Sequence, residues 1–191
     1  MRLRLWIGSV LGCLTAVNAW AGELEVTLSD ESAWVQYTAP ISYEDYGRTA
    51  VDMGLLYTES DDWLVSLGIG MEGEVGSQAP GLEFGLGVRG YAGKVDDDYD
   101  VSAITLGLLG KFVPPAFSRL GVLGHVNYAP SITAYGDAER FTDAGVRLEY
   151  EVLPVASAYL GYRLVEVEVD RDDKSDVELD ETVYVGISLS F

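Results

Sequence analysis

The sequence predicts an all-β fold, an antiparallel up-and-down transmembrane β-barrel of ten strands, and three observations carry that expectation. Apolar residues recur at every second position through strand-length segments, the period of a pleated strand with two unlike faces. Aromatic residues gather near both ends of those apolar faces, where amphipathic rings sit at lipid-headgroup depth. Helical periodicity of useful length is missing, so a sheet covered by helices is not expected.

The outward sets begin with Val51, Met53, Leu55 and Tyr57, then Trp63, Val65, Leu67, Ile69 and Met71, then Leu82, Phe84, Leu86 and Val88. Ile104, Leu106, Leu108 and Phe112 follow, then Leu120, Val122, Val126 and Tyr128, then Ala144, Val146, Leu148 and Tyr150, then Ala158, Leu160, Tyr162 and Leu164. Val183, Val185, Ile187, Leu189 and Phe191 complete a series of eight. Two weaker segments precede them: Leu24, Val26 and Leu28 share one face of the first, and residues 32–39 form the second. Together they make ten, an even number that brings the N-terminus to the side of the C-terminus. Eight strands would result if that first region were a plug or a periplasmic extension.

The opposite faces mix small and charged residues, among them Asp52, Ser66, Glu72, Thr105 and Asn127 with many glycines, which does not make a dry core. A soluble sandwich shows the same alternation, so the choice rests on the aromatics and the connections. Tyr57, Trp63, Tyr128 and Phe141 fall at one end of the apolar faces, and Phe84, Phe112, Tyr150 and Phe191 at the other. Connections at 59–62, 95–100, 129–139 and 170–180 are acidic and often longer, whereas 113–118 and 151–157 are short and contain Pro114, Pro115 or Pro154. Long outer loops and short periplasmic turns give a barrel this asymmetry.

Residues 1–21 have the parts of a secretory signal: Arg2 and Arg4, an apolar run from Leu5 to Val17, and Ala19-Trp20-Ala21 before Gly22. Cleavage after Ala21 leaves residues 22–191 as one barrel domain. An uncleaved anchor is the alternative, but the run falls short of the ~20 apolar residues that span a bilayer as a helix. Cys13 follows Val10-Leu11-Gly12 as at a lipoprotein cleavage site, although Leu14 to Val17 prolong the apolar run and favour ordinary peptidase cleavage. The processed chain then holds no cysteine, hence no disulfide, no cysteine metal site and no thiol nucleophile. A net charge of -19 argues against nucleic acid and permits divalent cations or basic partners.

The segments Ala144-Gly145-Val146-Arg147, Ala158-Tyr159-Leu160-Gly161-Tyr162-Arg163 and Tyr184-Val185-Gly186-Ile187-Ser188-Leu189-Ser190-Phe191, with Tyr128-Ala129-Pro130 before a loop, resemble the YfaZ family of Gram-negative outer-membrane proteins. The resemblance is clearest over the last third, and the chain departs from glycine-rich members in its acidity and its first fifty residues. It implies an outer-membrane barrel facing lipid and lipopolysaccharide, and an assembly signal in the last strand read by the barrel assembly machinery. Tyr184, Gly186, Leu189 and Phe191 carry that signal here. It implies no activity, cofactor or catalytic residue.

Glu83, Arg89, Lys111, His125, Asp143, Arg147, Glu149 and Arg163 form an inward charge network. It serves either as a constriction that selects small solutes or as mutually paired charges in a filled lumen. His125, the only histidine, suits a hydrolase if it stands beside a nucleophile at an accessible rim; otherwise it belongs to the polar network. Asp96, Asp97, Asp98 and Asp100 make the densest acidic loop, with Asp170, Asp172, Asp173 and Asp176 a second. Such carboxylates attract Ca²⁺ or Mg²⁺, yet lack the Asp-x-Asp-x-Asp-Gly register of a dedicated site, so solvated loops are expected and no cofactor. The expected function is a structural, interaction or narrow porin-like barrel without catalysis.

Overall fold

The computed structural model describes residues 21–191 apart from 45–46, 77–78, 96–98 and 170–174, and gives backbone alone for 169 and 175–178. Cys13 and the expected signal up to Trp20 lie outside the described residues, as do Asp96, Asp97, Asp98, Asp170, Asp172 and Asp173. The strands are β1 (Glu23–Leu28), β2 (Ser32–Glu44), β3 (Gly47–Thr58), β4 (Trp63–Glu74), β5 (Leu82–Val95), β6 (Tyr99–Phe112), β7 (Leu120–Ala129), β8 (Ala134–Gly136), β9 (Ala138–Leu153), β10 (Ala156–Val169) and β11 (Ser175–Ser190).

Neighbours in sequence pair antiparallel from β1 to β7, β7 pairs with β9, and the chain continues through β10 to β11. Pairing of β11 with β1 closes ten strands into a barrel, with Leu24 opposite Leu189 and Leu28 opposite Val185. Both weak N-terminal segments are wall strands, so the eight-stranded alternative falls. The short β8 is an eleventh strand outside the ring, taking over pairing with β6 beyond the end of β7. Gly136 makes this possible at φ 78°, since a Cβ there would collide with the Asp100 carbonyl.

The outer surface is apolar in a band: Leu67, Leu86 and Leu106 are 65%, 67% and 72% exposed, as lipid-facing side chains must be. Tyr57, Trp63 and Tyr128 edge that band at one end and Phe84, Phe112, Tyr150 and Phe191 at the other. Phe141 is the exception among the expected girdle aromatics. It is fully buried and points into the lumen, because it shares the phase of Asp143 rather than that of Ala144.

The connections also differ from expectation. Strands β5, β6, β10 and β11 continue well past the apolar band, so only 96–98 separates β5 from β6. Turns 75–81 and 113–119, at the rim that carries the termini, exceed 29–31 and 59–62 at the opposite rim. The longest connection, 130–137, is nevertheless at the opposite rim and the short turn 154–155 at the terminal one, as expected. Acidity rather than length distinguishes the rims, since Asp30, Glu31, Glu59, Asp61 and Asp62 all lie opposite the termini. These are called the acidic rim and the terminal rim.

Beyond the band the two faces exchange chemistry. Along β10 the inward sequence passes from Arg163 to Val165 and Val167, both fully buried, while the outward sequence passes from Leu160 and Tyr162 to Glu166 and Glu168. Trp34, Leu56, Leu64, Val95, Val101, Phe141 and Leu179 join the two valines in one buried apolar cluster inside the acidic end. The expectation that inward residues form no dry core therefore fails for this half: outside the lipid, burial of apolar groups away from water again stabilises the wall.

Two reciprocal interlocks hold β10 to β11. Tyr159 stands opposite Gly186, and Gly161 opposite Tyr184, so each tyrosine ring lies across the neighbouring glycine. The two rings meet edge-on at 6.1 Å. A Cβ on Gly161 would lie 2.5 Å from the Tyr184 ring and 2.7 Å from the Val146 carbonyl oxygen, and the latter is backbone that cannot swing away. Gly161→Ala is accordingly expected to lower folding stability by about 1–3 kcal/mol. Urea unfolding of the refolded barrel checks this; an unchanged midpoint would refute the interlock.

Candidate functional site

The lumen contains three layers. At the acidic end lies the apolar cap just described. Beneath it a polar hub centres on Asp143, whose side chain is 1% exposed. The Tyr91 hydroxyl donates to its Oδ2 at 2.6 Å and the Asn127 amide at 3.3 Å. His125 Nε2 stands 3.2 Å from Oδ1, and Arg163 Nε 3.7 Å from the same oxygen. The Tyr91 ring packs on Phe141 with centroids 4.4 Å apart, joining hub to cap. Arg163 places its guanidinium 3.9 Å above the Trp34 ring and within 3.8 Å of Asp180.

Alternation on β5, β7, β9 and β10 brings these groups together, since inward residues of paired strands stand side by side. Asn127 faces Asp143 directly in the register, and His125 faces Gly145, whose missing side chain leaves room for the imidazole. A buried carboxylate is costly without partners, and Asp143 is surrounded by them.

The third layer is open space. A cavity of about 900 Å³ occupies the terminal half and reaches the rim at Glu23, Gly76, Pro154 and Ser190. Ion pairs cross its walls: Arg147 binds Glu25 at 2.5 Å and Glu149 at 3.2 Å, with its guanidinium 4.4 Å above the Tyr159 ring. Lys111 approaches Glu149 at 4.0 Å, Arg89 pairs with Asp52 at 2.8 Å, and Arg48 pairs with Glu72. Trp34, Asn127 and Arg163 line its deep end, where hub and cap begin.

The eight residues of the expected charge network all face the lumen, but in separate groups. Asp143, His125 and Arg163 form the hub; Arg147, Glu149 and Lys111 form a chain; Arg89 joins Asp52 elsewhere. Glu83 lines the cavity without an ion pair among the described residues. Tyr91, Trp34, Glu25 and Asp180 stand outside the expected network, although each keeps the inward phase of its strand: two are aromatic rather than charged, Glu25 is on a weakly patterned strand, and Asp180 sits in a stretch that reads as an acidic loop. Tyr184 and Gly186, expected in the assembly signal, face inward in the interlocks, whereas Leu189 and Phe191 face out.

His125 lies in mid-barrel bonded to a buried carboxylate, not at an acidic-rim surface beside a nucleophile, so its geometry is not that of the hydrolase alternative. Asp100, the described member of its acidic loop, approaches Lys94 at 3.8 Å. Among the described residues no three His, Cys, Asp or Glu side chains converge on a metal-sized point.

Removing the hub's charge leaves Arg163 with Asp180 as its one remaining carboxylate partner among the described residues. Asp143→Asn is expected to lower stability by about 3 kcal/mol, and Tyr91→Phe by about 1 kcal/mol. Urea unfolding of both variants checks the order; equal and small losses would refute the hub.

Solved structures of similar shape include an outer membrane channel, DcaP of Acinetobacter baumannii, at 12% identity and TM-score 0.46, covering 87% of this chain and 54% of that one. The KdgM porin is similar at 11% identity and TM-score 0.44, covering 90% and 99%. The transport unit of the autotransporter AIDA-I from Escherichia coli is similar at 12% identity and TM-score 0.37, covering 92% and 91%. No curated protein matches the sequence closely enough to count as a relative. The family model described as YfaZ precursor matches residues 5–191, almost the whole sequence, and the chain belongs to the YfaZ family.

Proposed function

We propose that this chain is a small outer-membrane barrel that does not conduct, serving the Gram-negative envelope as a structural or interaction protein without catalysis. The apolar cap carries this reading. Leu56, Leu64, Phe141, Val165 and Val167 are fully buried across the acidic end, and an ion crossing them would lose its hydration without replacement ligands. The alternatives of a narrow porin and of a hydrolase built on His125 are weaker for that reason and for the histidine's mid-barrel place.

In this reading residues 1–21 direct export and are removed, the apolar band contacts lipid, and the acidic rim faces outward among lipopolysaccharide and its divalent cations. Phe191 and Leu189 present the assembly signal to the barrel assembly machinery from the lipid face of β11.

Planar-bilayer recording of the refolded protein tests the closed lumen. The expected result is no current for the wild type and a measurable leak for Phe141→Ala combined with Leu64→Ala; steady wild-type conductance would restore the porin. For assembly, Phe191→Ala keeps the backbone bonds to Gly22 but loses the ring stacked 6.3 Å from Tyr37. It is expected to lower the heat-resistant fraction in outer membranes while refolding in detergent stays near wild type. Wild-type assembly in cells would remove the signal from this residue.

A further inference from the structure

The cavity in the terminal half is not a by-product of crowding. Its size falls among small-molecule sites, about 300–1,000 Å³, and one of its walls is bare backbone. Gly70 on β4 faces Gly87 on β5, and Gly87 faces Gly107 on β6, so three inward glycines stand abreast. A Cβ on Gly70 would meet nothing nearer than the Leu86 carbonyl oxygen at 3.4 Å, an ordinary contact. A side chain would fit at Gly70, whereas a Cβ on Gly87 would lie 3.0 Å from the Ile69 carbonyl oxygen and one on Gly107 2.4 Å from Asn127 Oδ1. The same barrel fills its other half with Leu56, Leu64 and Phe141.

Charge gives the space a sign. Eight carboxylates line the cavity against five arginine and lysine side chains. Arginine pairs neutralise Glu25, Asp52, Glu72 and Glu149. Toward the rim Glu23, Glu74, Glu83 and Glu151 line the cavity with no ion pair among the described residues. Glu74 and Glu83 stand directly opposite one another on β4 and β5, like charges that oppose strand pairing, and Lys111, opposite Glu83 on β6, leans to Glu149 at 4.0 Å instead. Low-dielectric walls concentrate the field of such a group at the mouth.

We infer that the cavity is a blind binding site, entered from the terminal rim, for a linear organic polycation of the polyamine class. A compact metal ion suits the site poorly, because among the described residues no three ligating side chains converge and the carboxylates without an ion pair sit on β1, β4, β5 and β9. An extended diamine or triamine reaches spaced carboxylates with its ammonium groups, while its methylene chain lies along the wall at Gly70 and Gly87, where a Cβ on either glycine would meet backbone only. The inference rests on a lumen closed at the acidic rim.

Calorimetric titration of spermidine into the refolded full barrel at low salt tests it. Saturable binding of one equivalent is expected, weakened about tenfold or more by Gly70→Leu, which fills the cavity and leaves every charge in place, and also by Glu83→Gln with Glu151→Gln. Heat-modifiable migration confirms that each variant is folded. Absence of saturable binding would overturn the proposal, as would undiminished binding to folded Gly70→Leu, which would place spermidine on the acidic connections. Stoichiometric displacement of spermidine by an equimolar amount of Mg²⁺ would assign the site to a metal ion instead. A conducting wild-type barrel would remove the closed lumen, whereas undiminished binding to Gly70→Leu removes only the polyamine site.

Discussion

Within lipid, no water is available to a free amide or carbonyl, and every feature of this fold is subordinate to satisfying those groups. The critical place is the seam where β11 meets β1, because β1 has six residues and β11 sixteen. Register keeps the seam closed from Leu28 down to Glu23, and reciprocal bonds between Gly22 and Phe191 at 2.9 and 3.0 Å extend it to the terminal rim. Above Leu28 the backbone of β11 has outrun its neighbour. Side chains take over there: the Ser32 hydroxyl donates to Asp180 at 2.9 Å and the Thr182 hydroxyl to Asp30 at 3.1 Å. The Glu59 amide also donates to the Glu31 carbonyl at 2.7 Å, tying the next two turns together. The low wall thus ends in a polar lattice rather than an open edge.

Closure creates one tube that meets two solvents. In the lipid zone the outer face must be apolar, so polarity is left to the inside; above it the outer face meets water, and the inside can be dry. Strand β10 crosses this boundary in phase but with its chemistry reversed between Arg163 and Val165. Its neighbour β11 meets the same level with a bulge at Leu179, where Val165 pairs with Asp180 and Glu166 with Glu178. The reversal explains why the cap lies at one end only.

That reversal limits what sequence could disclose. The eight outward sets, the two weaker ones and the even count were legible because period two persists across the bilayer. The cap was not, since Val95, Val101, Val165, Val167 and Leu179 lie where outward residues turn acidic, and acidity reads as loop. Phe141 was misplaced for the same reason: an aromatic near a strand end suggests a girdle, and only phase relative to Asp143 reveals that it points inward. The inward charges could be named from alternation, but not sorted, because which arginine meets which carboxylate depends on the stagger of strands far apart in sequence. Arg147 with Glu25 is such a case, joined across β9 and β1.

The hub sits at the boundary between the reversed halves, and its position has a structural consequence. Asp143, His125, Tyr91 and Arg163 come from β9, β7, β5 and β10, and Arg163 is further held by Trp34 on β2 and Asp180 on β11. A one-residue slip in any of these strands would turn its charge or ring into lipid and an outward neighbour, such as Ala144, Val126 or Leu164, into the hub. A buried cluster of this kind contributes little net stability, since desolvation offsets most of the attraction. Its effect is on register. The apolar outer faces would tolerate many staggers, being alike from strand to strand, whereas the hub accepts one. A barrel whose outside is uniform must take its specificity from within, and here it does so at the level where the interior changes from wet to dry.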